Sequence, residues 1–225
     1  METTAKTELI EKLKKMDDKF HKFIHGWHMI NSVPIKEAIW ESINSGIVSY
    51  QCSVTCEAKG NHVPGIDNCF DGCGISNKTA KSDGVTISMS SYRLTGVCND
   101  ENPGNEQEII NEIKKRNENF HYHSLLIRHE TETIIEYIWF MVPKDSDVFA
   151  IDTLDQKIGI KGDKKGQVVG WKSQNCDITF SMSSQLWYKF DIKKIEKYKI
   201  CSTKVDNSKP KINYSQIYNL FNNTI

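Results

Sequence analysis

Apolar positions first recur at three- and four-residue intervals. Leu9, Leu13, Met16, Phe20, Phe23 and Ile24 predict an amphipathic helix that starts behind Thr7, with Glu8 and Glu11 near its positive end. A second helix is expected over residues 35–44, with Pro34 at its first turn, Ala38, Ile39 and Ile43 facing inward, and Gly46 as its stop. Glu37 and Glu41 fall one turn apart on a neighbouring face. The period then shortens. Residues 47–58 read as strand, and residues 60–81 as a hairpin with a Gly-rich reversal over 68–74, Asp71-Gly72 at its tip and a second strand from Ile75. Residues 84–94 alternate. Asn105 caps a helix over 106–119 with Ile109, Ile110 and Ile113 as its buried stripe. Two strands follow at 121–129 and 134–142, turning at 130–133; the run IIEYIWFMV predicts burial on both faces. Residues 151–177 are polar and glycine-bearing, 177–191 alternate again, and the tail from 204 is polar with a short helix at 214–221.

This succession predicts an α/β chain, an α+β mixed sheet flanked by helices. Its 225 residues and 25.8 kDa suit one domain over 1–225. Residues 1–30 form a helical N-terminal arm, and residues 151–225 a β-rich C-terminal part. No apolar run approaches a membrane span, and the polar start METTAKTELIEKLKK is unlike a secretory signal. A cytoplasmic protein without a membrane partner is therefore expected. The 29 basic and 29 acidic residues balance, so a nucleic-acid ligand needs a local basic face rather than a basic whole.

The hairpin carries the chemistry. Side chains alternate along a strand, so Ser76 and Lys78 share a face, and an acid at the end of the preceding segment, Asp67, can meet that lysine. A carboxylate beside an ammonium suits magnesium-dependent phosphodiester chemistry. Pro64-Gly65-Ile66-Asp67 followed by Ser76-Asn77-Lys78 resembles a degenerate PD-(D/E)xK signature of type II restriction endonucleases, with serine in place of the acid two residues before the lysine. The resemblance implies a restriction-endonuclease-like core and a sequence-specific, Mg²⁺-dependent double-stranded DNA endonuclease. It implies that Asp67 and Glu41 hold the metal, with Ser76 or the backbone carbonyl near it completing the shell. Glu41 then replaces the missing acid, and Lys78 positions the attacking water. A homodimer matches palindromic DNA. Lys81 and Arg93 are expected at phosphates, Lys164 and Lys165 in a basic loop on the DNA backbone, and Ser183 and Gln185 at bases. Glu57-Ala58-Lys59 is a rival acid–lysine pair.

Two other chemistries stay open. Cys52, Cys56, Cys69 and Cys73 form C-x3-C pairs around the hairpin, which zinc could staple into a non-catalytic nucleic-acid or protein binding module. His21, His25 and His28 on the first helix have a metal-compatible spacing, although a packing role is the commoner one. Cys98 with His121 would be a nucleophilic pair, but nothing in the sequence joins them.

Overall fold

Leu9, Leu13, Phe20 and Ile24 are each at most 1% exposed, so the apolar stripe of the N-terminus is core. It is carried on two helices, α1 (Glu2–Leu13) and α2 (Asp17–Ile30), joined by one 3-10 turn at Lys14–Met16. The break leaves Met16 buried, so the stripe passes through it. The arm over 1–30 thus packs on the sheet. The computed structural model describes residues 2–55, 65–97, 105–151, 156–159, 168–172, 175–181, 185–213, 215–216 and 219.

Helix α3 (Glu37–Val48) differs from expectation at both ends. It starts later because Ile35 is pinned to the sheet, its amide donating to the Tyr137 hydroxyl at 3.1 Å. It continues past Gly46 because that glycine serves close packing. A Cβ there would stand 2.8 Å from the Phe23 ring, so its absence lets α2 and α3 approach. Ile47 and Val48 consequently lie buried at the end of the helix, and among the described residues of the strand expected over 47–58 only β1 (Val54–Thr55) is strand.

The hairpin forms, with a tighter turn than expected. β2 (Asn68–Phe70) and β3 (Cys73–Ser82) are joined by Asp71 and Gly72 alone, at φ of 47° and 81°. Positive φ at both positions marks the two-residue turn that matches strand twist. Then come β4 (Thr86–Arg93), α4 (Glu106–Asn117), β5 (Tyr122–Glu130) and β6 (Ile134–Pro143). Asn105 caps α4 as expected, its Oδ1 accepting from the Glu108 amide at 2.9 Å. Four further strands are β7 (Gln156–Gly159), β8 (Val168–Lys172), β9 (Asp177–Ser181) and β10 (Gln185–Asp191). The last, β11 (Lys199–Asp206), covers the start of the supposed polar tail and pairs with β6. Its inward positions are Cys201, Thr203 and Val205, a weak apolar signal.

Among the described residues these strands form one mixed sheet in the order β11-β6-β5-β3-β4-β10-β9-β8-β7, with β2 also on β3 and β1 on β2. Only the β3–β5 pair is parallel, and α4 lies in the crossover that parallel pairing requires. The two faces bury different sets. Ile75, Leu126 and Trp139 lie with α1, α2 and α3; Ala80, Leu125, Ile127 and Met89 lie with α4. No helix of the described residues is long and apolar enough to cross a membrane.

Candidate active site in a notch of the sheet

The two strands beside β3 leave a gap. β2 pairs with residues 73–75 of β3 and β4 with residues 80–82, so residues 76–79 have no strand neighbour on that edge. On the opposite edge β5 pairs continuously from Ile75 to Ser82. Successive residues of a strand turn their backbone groups to opposite edges. The N–H and C=O that face the notch therefore belong to Asn77 and Thr79, while those of Ser76 and Lys78 face β5.

Side chains satisfy both groups of Asn77. Asp67 accepts the Asn77 amide on Oδ2 at 2.5 Å, and its own amide donates to the Ile75 carbonyl at 2.9 Å. Lys78 donates from Nζ to the Asn77 carbonyl at 2.8 Å and to Glu37 Oε1 at 2.8 Å, and stands 3.9 Å from Asp67 Oδ2. Aspartate and lysine thus meet in the notch. Glu37 comes from the first turn of α3, and Glu41 follows one turn later. Burial raises the Glu41 carboxyl above its ordinary range, and the charges of Asp67 and Glu37 add to that, with Lys78 opposing. Burial likewise raises Asp67, against the Lys78 charge and the Asn77 hydrogen bond. Glu37 and Asp67 thus stand 2.8 and 3.9 Å from one ammonium whose side chain is only 9% exposed, and Glu41 lies close enough to feel all three charges.

Oxygen donors of this kind suit a hard divalent cation, and an excess of half-buried negative charge favours one. Among the described residues no three His, Cys, Asp or Glu side chains stand together as a complete metal-holding group. Magnesium commonly takes one or two carboxylates and fills its shell with water and substrate phosphate, so the residues present fit it on those terms.

Several expectations need correction. Ser76 is buried, and its carbonyl points to β5, so it does not complete a shell in the notch; Asn77 supplies the carbonyl there. The Ile75 carbonyl is occupied by the Asp67 amide. Glu37, expected only on the helix face beside Glu41, is the direct partner of Lys78, and its one-turn offset from Glu41 is the sequence signal for it. Lys81 pairs with Glu130 at 2.9 Å but keeps 59% of its side chain exposed, so its expected place at a phosphate stays open. Gln185 folds back onto its own sheet, donating to the Ser91 carbonyl at 2.6 Å, so its amide is not presented to bases. Arg93 is exposed at the end of β4, opposite Gln185. Lys164, Lys165, Ser183 and the rival Glu57 and Lys59 lie outside the described residues, as do Cys56 and Cys98.

His21, His25, His28, Cys52 and Cys73 take hydrogen-bonding or packing places in the fold. His21 Nδ1 and His25 Nε2 both bond Thr203 Oγ1, at 2.9 and 3.3 Å, tying α2 to β11. His28 bonds the Tyr137 hydroxyl at 2.9 Å. Cys52 and Cys73 are buried in the core under the N-terminal helices, together with Phe70. Cys69 pairs with Gly74, one position from Phe70, so it projects from the other face of the hairpin. The hairpin itself therefore separates Cys69 from Cys52 and Cys73. A cleft of about 380 Å³ beside Lys114, Lys144 and Phe149 contains none of the notch residues. Comparison of the chain with protein-family models, curated proteins and solved structures finds no match.

Proposed function

We propose that the chain is a Mg²⁺-dependent endonuclease of double-stranded DNA with a restriction-endonuclease-like core, working in the notch beside β3. The observation that carries this reading is the meeting of Asp67 with Lys78, whose Nζ lies 3.9 Å from Asp67 Oδ2, under the acidic turn of α3. Asp67 and Glu41 would hold the cation, with Glu37 able to join them once Lys78 turns toward substrate. When bound, the cation supplies charge neutralisation at the phosphate and the leaving oxygen.

The chain's own residues do the rest. The carboxylates of Asp67 and Glu37 and the Asn77 carbonyl hold the Lys78 ammonium at the mouth of the notch. From there it can donate a hydrogen bond to an attacking water or to a phosphate oxygen. DNA would reach this edge across an adjoining polar surface. Lys81, Ser88 and Lys189 form one row across β3, β4 and β10, and Trp187 is exposed beside it. Such a row suits phosphate contacts that carry no sequence information. Palindromic DNA would call for a homodimer.

Incubation of purified protein with a mixed-sequence plasmid tests the reading. Discrete fragments with Mg²⁺, and none with a chelator, are expected. Intact plasmid under both conditions would contradict it.

A further inference from the structure

Beneath the notch lies a buried polar network that the proposed chemistry does not itself use. Glu37, Glu41 and Asn44 follow at i, i+4 and i+7, which places them on one stripe of α3. Two of the three face the notch. The third, Asn44, is fully buried, and its Nδ2 donates to Asn77 Oδ1 and to Ser124 Oγ, both at 2.7 Å. Ser124 lies on β5 and is held in turn: its Oγ accepts from Trp139 Nε1 at 2.9 Å, and its carbonyl from Trp40 Nε1 at 3.1 Å. Asn77 is the residue whose backbone N–H binds Asp67 and whose carbonyl binds Lys78.

One amide therefore touches the helix that bears Glu37 and Glu41, the strand that bears Lys78, and the strand behind it. Apolar packing leaves a helix free to roll or slide by a fraction of a turn over a sheet. Directional bonds to two strands remove that freedom. Buried polar groups contribute little net stability, and two atoms of this network remain unsatisfied: Asn44 Oδ1 and Asn77 Nδ2 have no hydrogen-bond partner. An expensive buried amide is retained most readily where it fixes an orientation.

We infer that Asn44 is a positioning residue: through Asn77 and Ser124 it sets the roll of α3 so that Glu37 and Glu41 confront Asp67 and Lys78. The kinetic part of this inference rests on the nuclease reading; the geometric part does not. The test compares wild-type protein with Asn44→Leu, which fills a similar volume without the donors. Hydrogen exchange of the Asn77 amide and thermal unfolding are followed by NMR and calorimetry, and cleavage by steady-state kinetics. The expected result is a melting temperature within a few degrees of wild type, Asn77 exchange at least tenfold faster, and kcat lowered tenfold or more with KM unchanged. Wild-type exchange at Asn77 in a folded Asn44→Leu would overturn the inference, whether or not the wild type cuts DNA. A wild type that cuts nothing would retire the nuclease reading alone, because the exchange comparison stands without it. If Asn44→Leu does not fold, Asn77→Ala removes only the acceptor and carries the same expectation. Failure of both to fold would make the network a stabilising element and overturn the positioning role.

Discussion

At the scale of residues, Asp67 holds negative charge where burial opposes it. Its folded pKa is raised above 3.8, so the folded chain binds the proton more tightly than the unfolded chain. The ionised carboxylate thus costs stability above the folded pKa, and the cost fades as pH falls through that pKa toward 3.8. Asp67→Asn is therefore expected to melt at a higher temperature than wild type at pH 7, with the difference shrinking as pH falls toward 3.8. Calorimetry across that range checks it, and Mg²⁺ should raise the melting temperature of wild type more than that of the variant. His123 shows the opposite linkage. It is 1% exposed between the Phe120 and Phe149 rings, and neither ring nitrogen has a hydrogen-bond partner. Burial, helped by the Lys78 charge, lowers its pKa from 6.5 to about 3. The stability of its neutral form is complete above pH 6.5 and is lost as pH falls through and below that value. His123→Phe should gain about 1 kcal/mol at pH 7 by removing unsatisfied polar atoms. The gain should grow at pH 5, which urea titrations at both values would show.

At the scale of elements, α3 decides how well a site of this kind can be read from sequence. Glu41 was legible because it precedes the hairpin on a helix, and the Asp67–Lys78 pair because strand alternation and a tight turn leave few arrangements. Glu37 was hidden: its place beside Lys78 depends on the roll of α3, which distant partners such as Ser124 on β5 determine. Gly46 misled for a related reason. Local propensity makes glycine a stop, but the close approach of Phe23 needs one inside the helix. Gly46→Ala is accordingly expected to destabilise by about 1 kcal/mol, overpacking against Phe23 outweighing the gain in helix propensity. In a Phe23→Ala background the same change should stabilise, and the double-mutant cycle measures that reversal. The tail strand β11 is not legible because Thr203 occupies one of its few inward positions and its neighbours Ser202 and Lys204 are polar; only pairing with β6 makes it a strand.

At the scale of the whole molecule, the sheet does two jobs. Its half under α1, α2 and α3 buries β3 and β5 beside the gap at residues 76–79. Its other half, β4 and β10 onward, extends a polar row away from that gap. The mixed α/β class was legible from alternating periods of two and 3.6, whereas the strand order, which places the gap, was not, since register between distant strands is set by long-range pairing. Removing one charge from the polar row leaves the notch intact. Lys189→Ala should therefore weaken binding to duplex DNA of any sequence severalfold and flatten its salt dependence, measured by fluorescence anisotropy at two salt concentrations.

The central claim is that Lys78, held by Glu37 and Asp67, acts on the phosphodiester. Single-turnover cleavage of a duplex at saturating Mg²⁺, wild type against Lys78→Ala, tests it most directly. A rate lowered at least about a hundredfold with DNA affinity retained is expected. Cleavage by Lys78→Ala at the wild-type rate would contradict it.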